Sequence, residues 1–452
     1  MAISTIDSPP LPDVERRAVL PRGFRAGGAT AGIKASGRPD LGLVVAPDGA
    51  STAAVFTPNA FAAAPVKLSR ANLAATSRDP RGGYGYASAI VSTSGCANAA
   101  TGAAGDADQA QVGAFVSSTL GIDQDRVLHL STGIIGTRLP LDIVAAGVTS
   151  LAPQLSGDDA ALAAVAEALR TTDSVAKIAT ASLVLPASDG EPITVTVTGI
   201  AKGVGMIHPN MATMLSVVLT DAAAPPEVLW DLLRPAAART WDQLSVDGDT
   251  STNDTVFLLA SGASGAAPLH QGSPAAVALG AALEAVARDL ARQQAADGEG
   301  ATILITASVT GAVDDADARA VARAVVSSSL VKAAAHGKDP NWGRIAGAAG
   351  NAVTASAPIL EAAGLAPETA VARAAQPAVL DPDRLRISIA GYLVFDGAAG
   401  GPSQFDRGAA RAAMDAPELL IELDLGLGDG VGEAFGCDLT QEYVIENSEY
   451  TT

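Results

Sequence analysis

Basic residues are scarce in this sequence. Its 452 residues include 29 Lys and Arg against 48 Asp and Glu, which gives a formal net charge of -19. Binding to nucleic-acid phosphates requires clustered Lys and Arg, and no block of basic residues occurs in the chain. The composition therefore argues against a nucleic-acid partner, and we interpret the acidity as a contribution to solubility.

Cysteine and histidine are also rare. The two cysteines, Cys96 and Cys437, lie far apart and form no CxxC motif, which argues against a zinc or redox site. None of the four histidines has a partner at the spacing of a metal site. The sequence therefore predicts no bound metal, and it predicts that both cysteines are reduced and buried.

Long apolar runs and a secretory leader are missing as well. No hydrophobic stretch approaches the 18 residues of a membrane span. Residues 1–20 carry acids and prolines, where a signal peptide would need an apolar core. We expect a cytoplasmic protein that does not enter a membrane, with a flexible N-terminal tail over residues 1–22.

Aromatic residues make up only 4% of the sequence, whereas glycine occurs 46 times and 48% of the residues are hydrophobic. This composition favours closely packed backbones and helices, and the length permits a large core. Residues 41–45 and 53–57 alternate as strands do, and Pro47-Asp48-Gly49 between them predicts a β-turn. Amphipathic stretches predict helices at residues 158–169, 226–244, 274–296 and 314–335. The chain is thus predicted to be an α/β protein.

The most informative stretch runs from Lys202 to Leu215 and reads KGVGMIHPNMATML. It follows a strand-like run at residues 193–198, and its two glycines and one proline predict a constrained bend. A hydroxyl beside a small alanine in such a bend can attack the preceding carbonyl, which makes Thr213 a candidate nucleophile toward Ala212. Cleavage there would expose a threonine whose own α-amine acts as base. From the residues alone, a buried strand-loop-strand whose methionines pack in the core remains an alternative.

This run resembles the autoprocessing motif of the ornithine acetyltransferase family, in which Lys-Gly-x-Gly-Met precedes Ala-Thr-Met-Leu. The resemblance extends over about residues 23–452. It departs from the family's pattern at Cys96, where Asn is usual, at Ala100, where Cys is usual, and at Ile303, where Lys is frequent. Further matching motifs lie at residues 94–102, 131–133, 171–173, 247–255, 299–302 and 339–344 and at the C-terminus.

The resemblance implies roles for individual residues. A glycine that follows a hydroxyl residue at a strand end can direct an N–H toward an oxyanion, and the family's Ser-Thr-Gly segment assigns this role to Thr132 and Gly133. Thr213 is the implied nucleophile. The implied substrate-binding residues are Thr171 (with Thr172 as the alternative), Lys202, Thr213, Glu299, Asn447 and Thr452. Glu299 lies between glycines, where we expect an exposed carboxylate that pairs with a substrate ammonium.

The implied fold is a layered α/β architecture of the N-terminal-nucleophile type, with central β-sheets between helices. Self-cleavage would give an α chain of residues 1–212 and a β chain of residues 213–452, assembled as α2β2. Residues 352–382 are predicted to be a surface insertion. The hydroxyl-rich turn at residues 247–255 lacks the glycine and glutamate of a calcium loop and is predicted to form a wall of the site.

The implied activity moves the acetyl group of N2-acetylornithine to glutamate in arginine biosynthesis, by a ping-pong mechanism through an acetyl-threonine. No organic cofactor or metal is expected, and acetyl-CoA is a second donor only if the enzyme is bifunctional. Two alternatives stay open. An N-terminal-nucleophile aminopeptidase or amidohydrolase would pass the acyl group to water, and a non-catalytic amino-acid-binding protein would keep the pocket without turnover.

Overall fold

The structure is a computed structural model that describes residues 11–208 and 214–448. The strands are β1 (Arg25–Ala29), β2 (Leu41–Phe56), β3 (Tyr84–Cys96), β4 (Val127–Ile134), β5 (Lys177–Pro186), β6 (Pro192–Lys202), β7 (Leu215–Thr220), β8 (Leu244–Ser245), β9 (Thr255–Ala260), β10 (Leu304–Ala312), β11 (Arg386–Ile389), β12 (Tyr392–Asp396), β13 (Gly401–Pro402), β14 (Glu418–Asp424) and β15 (Gly430–Cys437). The helices are α1 (Ala64–Thr76), α2 (Gly102–Leu120), α3 (Leu141–Leu151), α4 (Asp159–Leu169), α5 (Pro226–Arg239), α6 (Pro274–Ala296), α7 (Asp315–Ser327), α8 (Ser329–His336), α9 (Trp342–Ala349), α10 (Ala357–Ala362), α11 (Pro367–Arg373), α12 (Arg407–Ala413) and α13 (Gln441–Ser448).

Two mixed sheets organise the molecule. The first has eight strands in the order β4-β3-β2-β9-β7-β6-β5, with β1 paired to β2. Within it β3 pairs with β4 and β7 with β9 in parallel, and the other pairs are antiparallel. The second has seven strands in the order β13-β12-β11-β14-β10-β15-β8. The strand that precedes residues 209–213, β6, and the strand that follows them, β7, therefore both belong to the first sheet.

Helices cover both faces of each sheet. In β9, Phe257 packs in a core cluster with helix α4, whereas Val256 packs in another cluster with α5 and α6. The second cluster also holds Phe435 of β15, while Ala434 faces a third cluster with α7 and α9. Because strand side chains alternate between faces, the layers run α4, first sheet, α5 and α6, second sheet, α7 and α9. The predicted layered α/β fold with sheets between helices is confirmed.

Some predicted elements have the expected bounds and others differ. Helix α6 is confirmed over residues 274–296, and β6 contains the strand predicted at 193–198. Residues 41–57 do not form two strands with a β-turn. They form the single strand β2, because a register shift against β3 between Val45 and Ala50 absorbs the extra residues as a bulge. The helix predicted at 314–335 is two helices, since the Ser328 side chain caps α8.

The predicted N-terminal tail is too long. Residues 1–10 lie outside the described part, but Glu15 exchanges two backbone hydrogen bonds with Thr180 of β5, each 2.8 Å long. The Leu20 amide donates to Asp159 at 2.8 Å, and Arg16 pairs with Asp289 on α6. The acids and prolines of this segment gave no sign of these pairings, because each partner lies more than a hundred residues away in sequence.

Residues 352–382, predicted as a surface insertion, contain the short helices α10 and α11. Ile359 and Leu360 are buried, and Arg373 pairs with Asp317 on α7. That these residues are an insertion stays a prediction. In the described part of the chain, the helices are all too short or too polar to cross a membrane.

Candidate active site

A cavity of about 280 Å³ opens where β4 and β6 end and β7 begins. Its walls also include the loop after α4, the loop between α6 and β10, and helix α13. Every predicted site residue within the described ranges lines it, namely Thr132, Gly133, Thr171, Lys202, Glu299 and Asn447. The structure thus brings together residues separated by more than 300 positions in sequence.

Gly133 occupies a position that excludes a side chain. Its φ is +129°, and a Cβ there would lie 2.4 Å from the carbonyl carbon of Gly95 on the parallel strand β3. Neighbouring Thr132 accepts a hydrogen bond from Lys202 Nζ at 3.2 Å. Asn253 holds this end of β4, because its amide nitrogen donates to Ser131 O at 2.8 Å. The strand end is therefore fixed on several sides.

Lys202 is the last residue of β6 and is only 9% exposed. Burial lowers the pKa of its ammonium below the usual value, and nearby Lys177 adds to this, whereas Asp173 and Glu299 oppose it. A buried ammonium on the wall of a small cavity is a point charge that can bind a carboxylate.

Asp173 is only 1% exposed and connects three parts of the site. Its carboxylate accepts from Lys177 Nζ at 2.7 Å, from the Gly203 amide at 2.8 Å and from the Thr171 amide at 3.1 Å. Burial raises the pKa of this carboxyl, but the charges of Lys202 and Lys177 and these hydrogen bonds outweigh it and lower the pKa to about 2. Asp173 is therefore ionised and ties the Thr171 loop to the end of β6.

Glu299 is 8% exposed, so the prediction of an exposed carboxylate is wrong. Its Oε1 accepts from Thr172 Oγ1 at 2.8 Å, and its Oε2 accepts from Asn447 Nδ2 at 2.9 Å. The carboxylate lies against Gly205, where a Cβ would approach Glu299 Oε2 to 2.2 Å. Flanking glycines indicated exposure, but neighbours from three other segments cover the side chain.

The predicted cleavage site, Ala212 and Thr213, and the predicted substrate contact Thr452 lie outside the described residues. Hydrogen bonds hold the chain both before and after the predicted cleavage site. The Ile207 amide donates to Asp247 at 2.8 Å, and Met214 O accepts from the Thr255 amide at 2.9 Å. Met206 and Met214 line the cavity.

The hydroxyl-rich turn has the predicted position. Residues 251–254 line the cavity, which confirms that the turn at 247–255 forms a wall of the site. Both Thr171 and Thr172 line it too, and the Thr172 hydroxyl is the one that contacts Glu299. The motif at residues 339–344 does not contribute to this lining.

Three residues that organise the site had no predicted role. These are Asp173, which follows the predicted Thr171, Asp247, which binds the Met206 and Ile207 amides, and Asn253, which donates to the Ala97 and Ser131 carbonyls. In the sequence, the only indication that these residues matter is that they lie within or beside the matched motifs. The two cysteines are free and buried, as predicted, and the described residues contain no cluster of His, Cys, Asp and Glu that would hold a metal ion.

The fold and the cavity define a layered α/β protein with a small polar site that carries charged groups of both signs. The chain belongs to the ArgJ family, whose family model matches residues 25–452. This confirms the family predicted from the motifs.

Curated relatives support the assignment over nearly the whole chain. The arginine biosynthesis bifunctional protein ArgJ of Synechococcus sp. is 44% identical over 432 residues and covers 96% of both chains. Its counterpart from Thermus thermophilus is 42% identical over 433 residues, covering 96% of this chain and 99% of its own. The protein is therefore an enzyme of a family named for arginine biosynthesis.

Two solved structures are similar to parts of the chain. The crystal structure of ArgJ from Bacillus halodurans is 36% identical, covers 52% of this chain and 99% of its own, and has a TM-score of 0.45. The structure of ornithine acetyltransferase complexed with ornithine from Mycobacterium tuberculosis is 36% identical, covers 44% of this chain and 99% of its own, and has a TM-score of 0.39.

Proposed function

We propose that this enzyme transfers the acetyl group of N2-acetylornithine to glutamate. The observation that carries the proposal is the convergence of Lys202, Glu299 and Met214 on one cavity. N2-acetylornithine bears an α-carboxylate and a side-chain ammonium, which match the Lys202 ammonium and the Glu299 carboxylate. Met214 follows the proposed nucleophile directly in the sequence.

The nucleophile arises by self-cleavage. The Thr213 hydroxyl attacks the Ala212 carbonyl, the C–N bond breaks, and the Thr213 nitrogen leaves as an amine. Water then hydrolyses the resulting ester and frees the hydroxyl. The products are an α chain that ends at Ala212 and a β chain that begins at Thr213, and we infer that they stay together as α2β2.

Acetyl transfer follows a ping-pong sequence. The Thr213 α-amine, a group with a usual pKa near 8, takes the hydroxyl proton as the oxygen attacks the acetyl carbonyl. Thr132 and Gly133 stabilise the oxyanion. Ornithine leaves with the proton, glutamate enters, and its amine takes the acetyl group from the threonine.

The substrate is held by the remaining residues of the site. Lys202 binds its carboxylate, and Thr171, Glu299 and Asn447, which line the same cavity, contact the rest of the substrate. Thr452, outside the described residues, is proposed as a further substrate contact. No metal or organic cofactor takes part. Since relatives are described as bifunctional, we include acetyl-CoA as a second acetyl donor to glutamate.

Electrophoresis tests the cleavage step. Purified protein should give two bands under denaturing conditions, and N-terminal sequencing of the chain without Met1 should start at Thr213. Thr213→Ala should stay as one inactive band, while Thr149→Ala, which alters an exposed threonine of α3, should be cleaved and active. A single band for the wild-type protein, or activity of Thr213→Ala, would refute the mechanism.

Mass spectrometry and an acceptor assay test the transfer. Labelled N2-acetylornithine without glutamate should add one acetyl group to the β chain, and added glutamate should remove it as N-acetylglutamate. Release of free acetate at the same rate with and without glutamate would instead assign a hydrolase.

A further inference from the structure

A second cavity, of about 1030 Å³, lies on the opposite side of the second sheet from helix α6. Helices α7 and α9 and residues 351–363 form most of its wall, and a 3-10 turn at Trp241–Gln243 contributes two residues. No described residue lines both this cavity and the active site. Asn341, Gly343 and Arg344 of the motif at 339–344 line it, although the proposed function uses none of them.

Its described lining carries a positive charge on a strongly acidic chain. Three guanidinium groups, of Arg319, Arg323 and Arg344, and one carboxylate, of Asp242, give the described lining a formal charge of +2. Burial lowers the pKa of His208 at its edge to about 4, with a further contribution from Arg323, so this imidazole adds no charge at neutral pH. The whole chain, by comparison, has a net charge of -19.

Arg319 has only a long ion pair, and one of its guanidinium nitrogens makes no hydrogen bond to the described residues. It is 8% exposed, and its Nη1 lies 3.8 Å from Asp315 Oδ2, too far for a hydrogen bond. Its Nη2 has no hydrogen-bond partner among the described residues. Burial lowers the pKa of this guanidinium, against the effect of Asp315. Buried Lys177, in contrast, pairs with both Asp173 and Asp297.

Arg344 is also available to a ligand. Its Nη1 donates to the Leu330 carbonyl at 2.9 Å, and no described carboxylate lies within ion-pair distance. Hydroxyl and amide groups of Ser327, Asn351 and Ser356 line the same space. Guanidinium groups present several N–H donors in a planar fork that matches phosphate oxygens. The volume is that of a site for a small organic molecule rather than for a lone inorganic ion.

We propose that this cavity binds an organic phosphate ester, with the phosphate held by Arg319, Arg323 and Arg344. A nucleotide and the nucleotide portion of coenzyme A share this chemistry. The mode of binding differs from a phosphate-binding glycine loop, because charged side chains rather than backbone amides supply the donors.

Calorimetric titration of the purified protein with ADP and with coenzyme A tests the proposal. At least one probe should bind, and rising salt should weaken its binding because the contacts are ionic. Arg344→Gln should weaken binding about tenfold or more, the loss expected when one charged hydrogen-bond donor is removed. Arg344→Lys should restore part of it. Arg411→Gln, which changes an exposed arginine of α12, should bind like the wild type.

The two probes distinguish the source of the phosphate. Binding of coenzyme A alone would identify a thioester carrier, and binding of both probes would identify a general phosphate-ester site. The proposal is overturned if neither probe binds, or if Arg319→Gln and Arg344→Gln bind as tightly as the wild type. Thermal melts establish that each variant is folded. Because the measurement is of binding, a negative result leaves the proposed acetyl transfer standing.

Discussion

Asp173 holds a negative charge where solvent hardly reaches. Its folded-state pKa of about 2 lies below the usual value of 3.8, so ionisation of this carboxylate favours folding above pH 4. The stabilisation is lost as the pH falls from about 4 through about 2. The shift corresponds to about 2 kcal/mol of unfolding free energy at neutral pH.

We therefore predict that Asp173→Asn lowers the unfolding free energy by about 2 kcal/mol or more at pH 7. The deficit should shrink as the pH falls from about 4 toward 2, because the carboxylate is protonated near 3.8 in the unfolded chain and only near 2 in the folded one. The KM for N2-acetylornithine should rise, because the Thr171 and Gly203 amides lose a charged acceptor. Urea denaturation at several pH values and steady-state kinetics measure both effects.

Asp125→Asn is the matched control, since this carboxylate is exposed and lies outside the cavity. Its unfolding free energy should stay within about 0.5 kcal/mol of the wild type. An Asp173→Asn protein with unchanged stability and unchanged KM would show that Asp173 does not position the site.

Residue roles could be predicted where the residue belongs to a contiguous motif. Lys202 and Thr132 were identified in this way, and in the structure Lys202 Nζ lies 3.2 Å from Thr132 Oγ1. The organising function of Asp173 could not be predicted, because its hydrogen bond from the Gly203 amide forms only when the end of β6 lies beside the start of β5.

At the scale of elements, the loop after β6 and the loop before β10 are packed too closely for a side chain at position 205. Gly205→Ala would place its Cβ 2.2 Å from Glu299 Oε2, so the carboxylate must move away from Thr172 and Asn447. Loss of hydrogen bonds to a charged group costs about 1.5–3 kcal/mol. We predict a fall in kcat/KM of about tenfold to a hundredfold.

Kinetics of the single and double variants check this prediction. Gly205→Ala combined with Glu299→Ala should lose little more than Glu299→Ala alone, because both changes remove the same contact. Gly157→Ala, at an exposed position where an added Cβ would meet only Phe24 O, at an ordinary contact distance of 3.9 Å, should behave as the wild type. Fully additive losses would contradict the proposed clash.

Elements with strong internal patterns were predicted well, and those set by tertiary pairing were not. The apolar spacing and the Ser273 cap specify α6 locally. The bulge in β2 depends on its register with β3, and the attachment of residues 15–22 depends on β5 and α6. Neither partner can be identified from the local sequence, so a turn and a flexible tail were predicted there instead.

For the whole molecule, the buried His129 and the half-buried His208 link folding to pH. Burial lowers the pKa of His129 to about 3 and, together with Arg323, that of His208 to about 4. Unfolded histidine titrates near 6.5. Their contribution to stability is therefore complete above pH 6.5 and falls below it as the unfolded state takes up protons, down to about pH 4 for His208 and about pH 3 for His129.

We predict that the two histidines together account for about 3 kcal/mol of unfolding free energy lost between pH 7 and pH 5. The change between these two pH values should be smaller in His129→Gln/His208→Gln by about that amount. Urea denaturation in the uncleaved Thr213→Ala background, at one fixed protein concentration, avoids separation of the α and β chains during unfolding. His270→Gln, at an exposed histidine, should retain the wild-type pH dependence, and a double variant that also retains it would refute the prediction.

Strand pairing within the first sheet predicts how the two proposed chains behave in the whole molecule. Strand β6 precedes the proposed cleavage site and β7 follows it, yet the two pair over six residues, and β2 pairs with β9 over another six. We predict that the α and β chains elute together in size-exclusion chromatography, at twice the mass of one full chain if the assembly is α2β2. They should separate only in denaturant. Separate elution in native buffer would contradict this prediction.

The shared sheet also sets the order of events in the life of the molecule. Before the cut, the connection between β6 and β7 acts as a tether that holds the two strands at a high effective concentration, so folding is a first-order process. After the cut, reassembly of separated chains depends on diffusion and on dilution. Under the proposed cleavage, folding must therefore come first, and the mature enzyme keeps a structure that it could reach easily only while it was one chain.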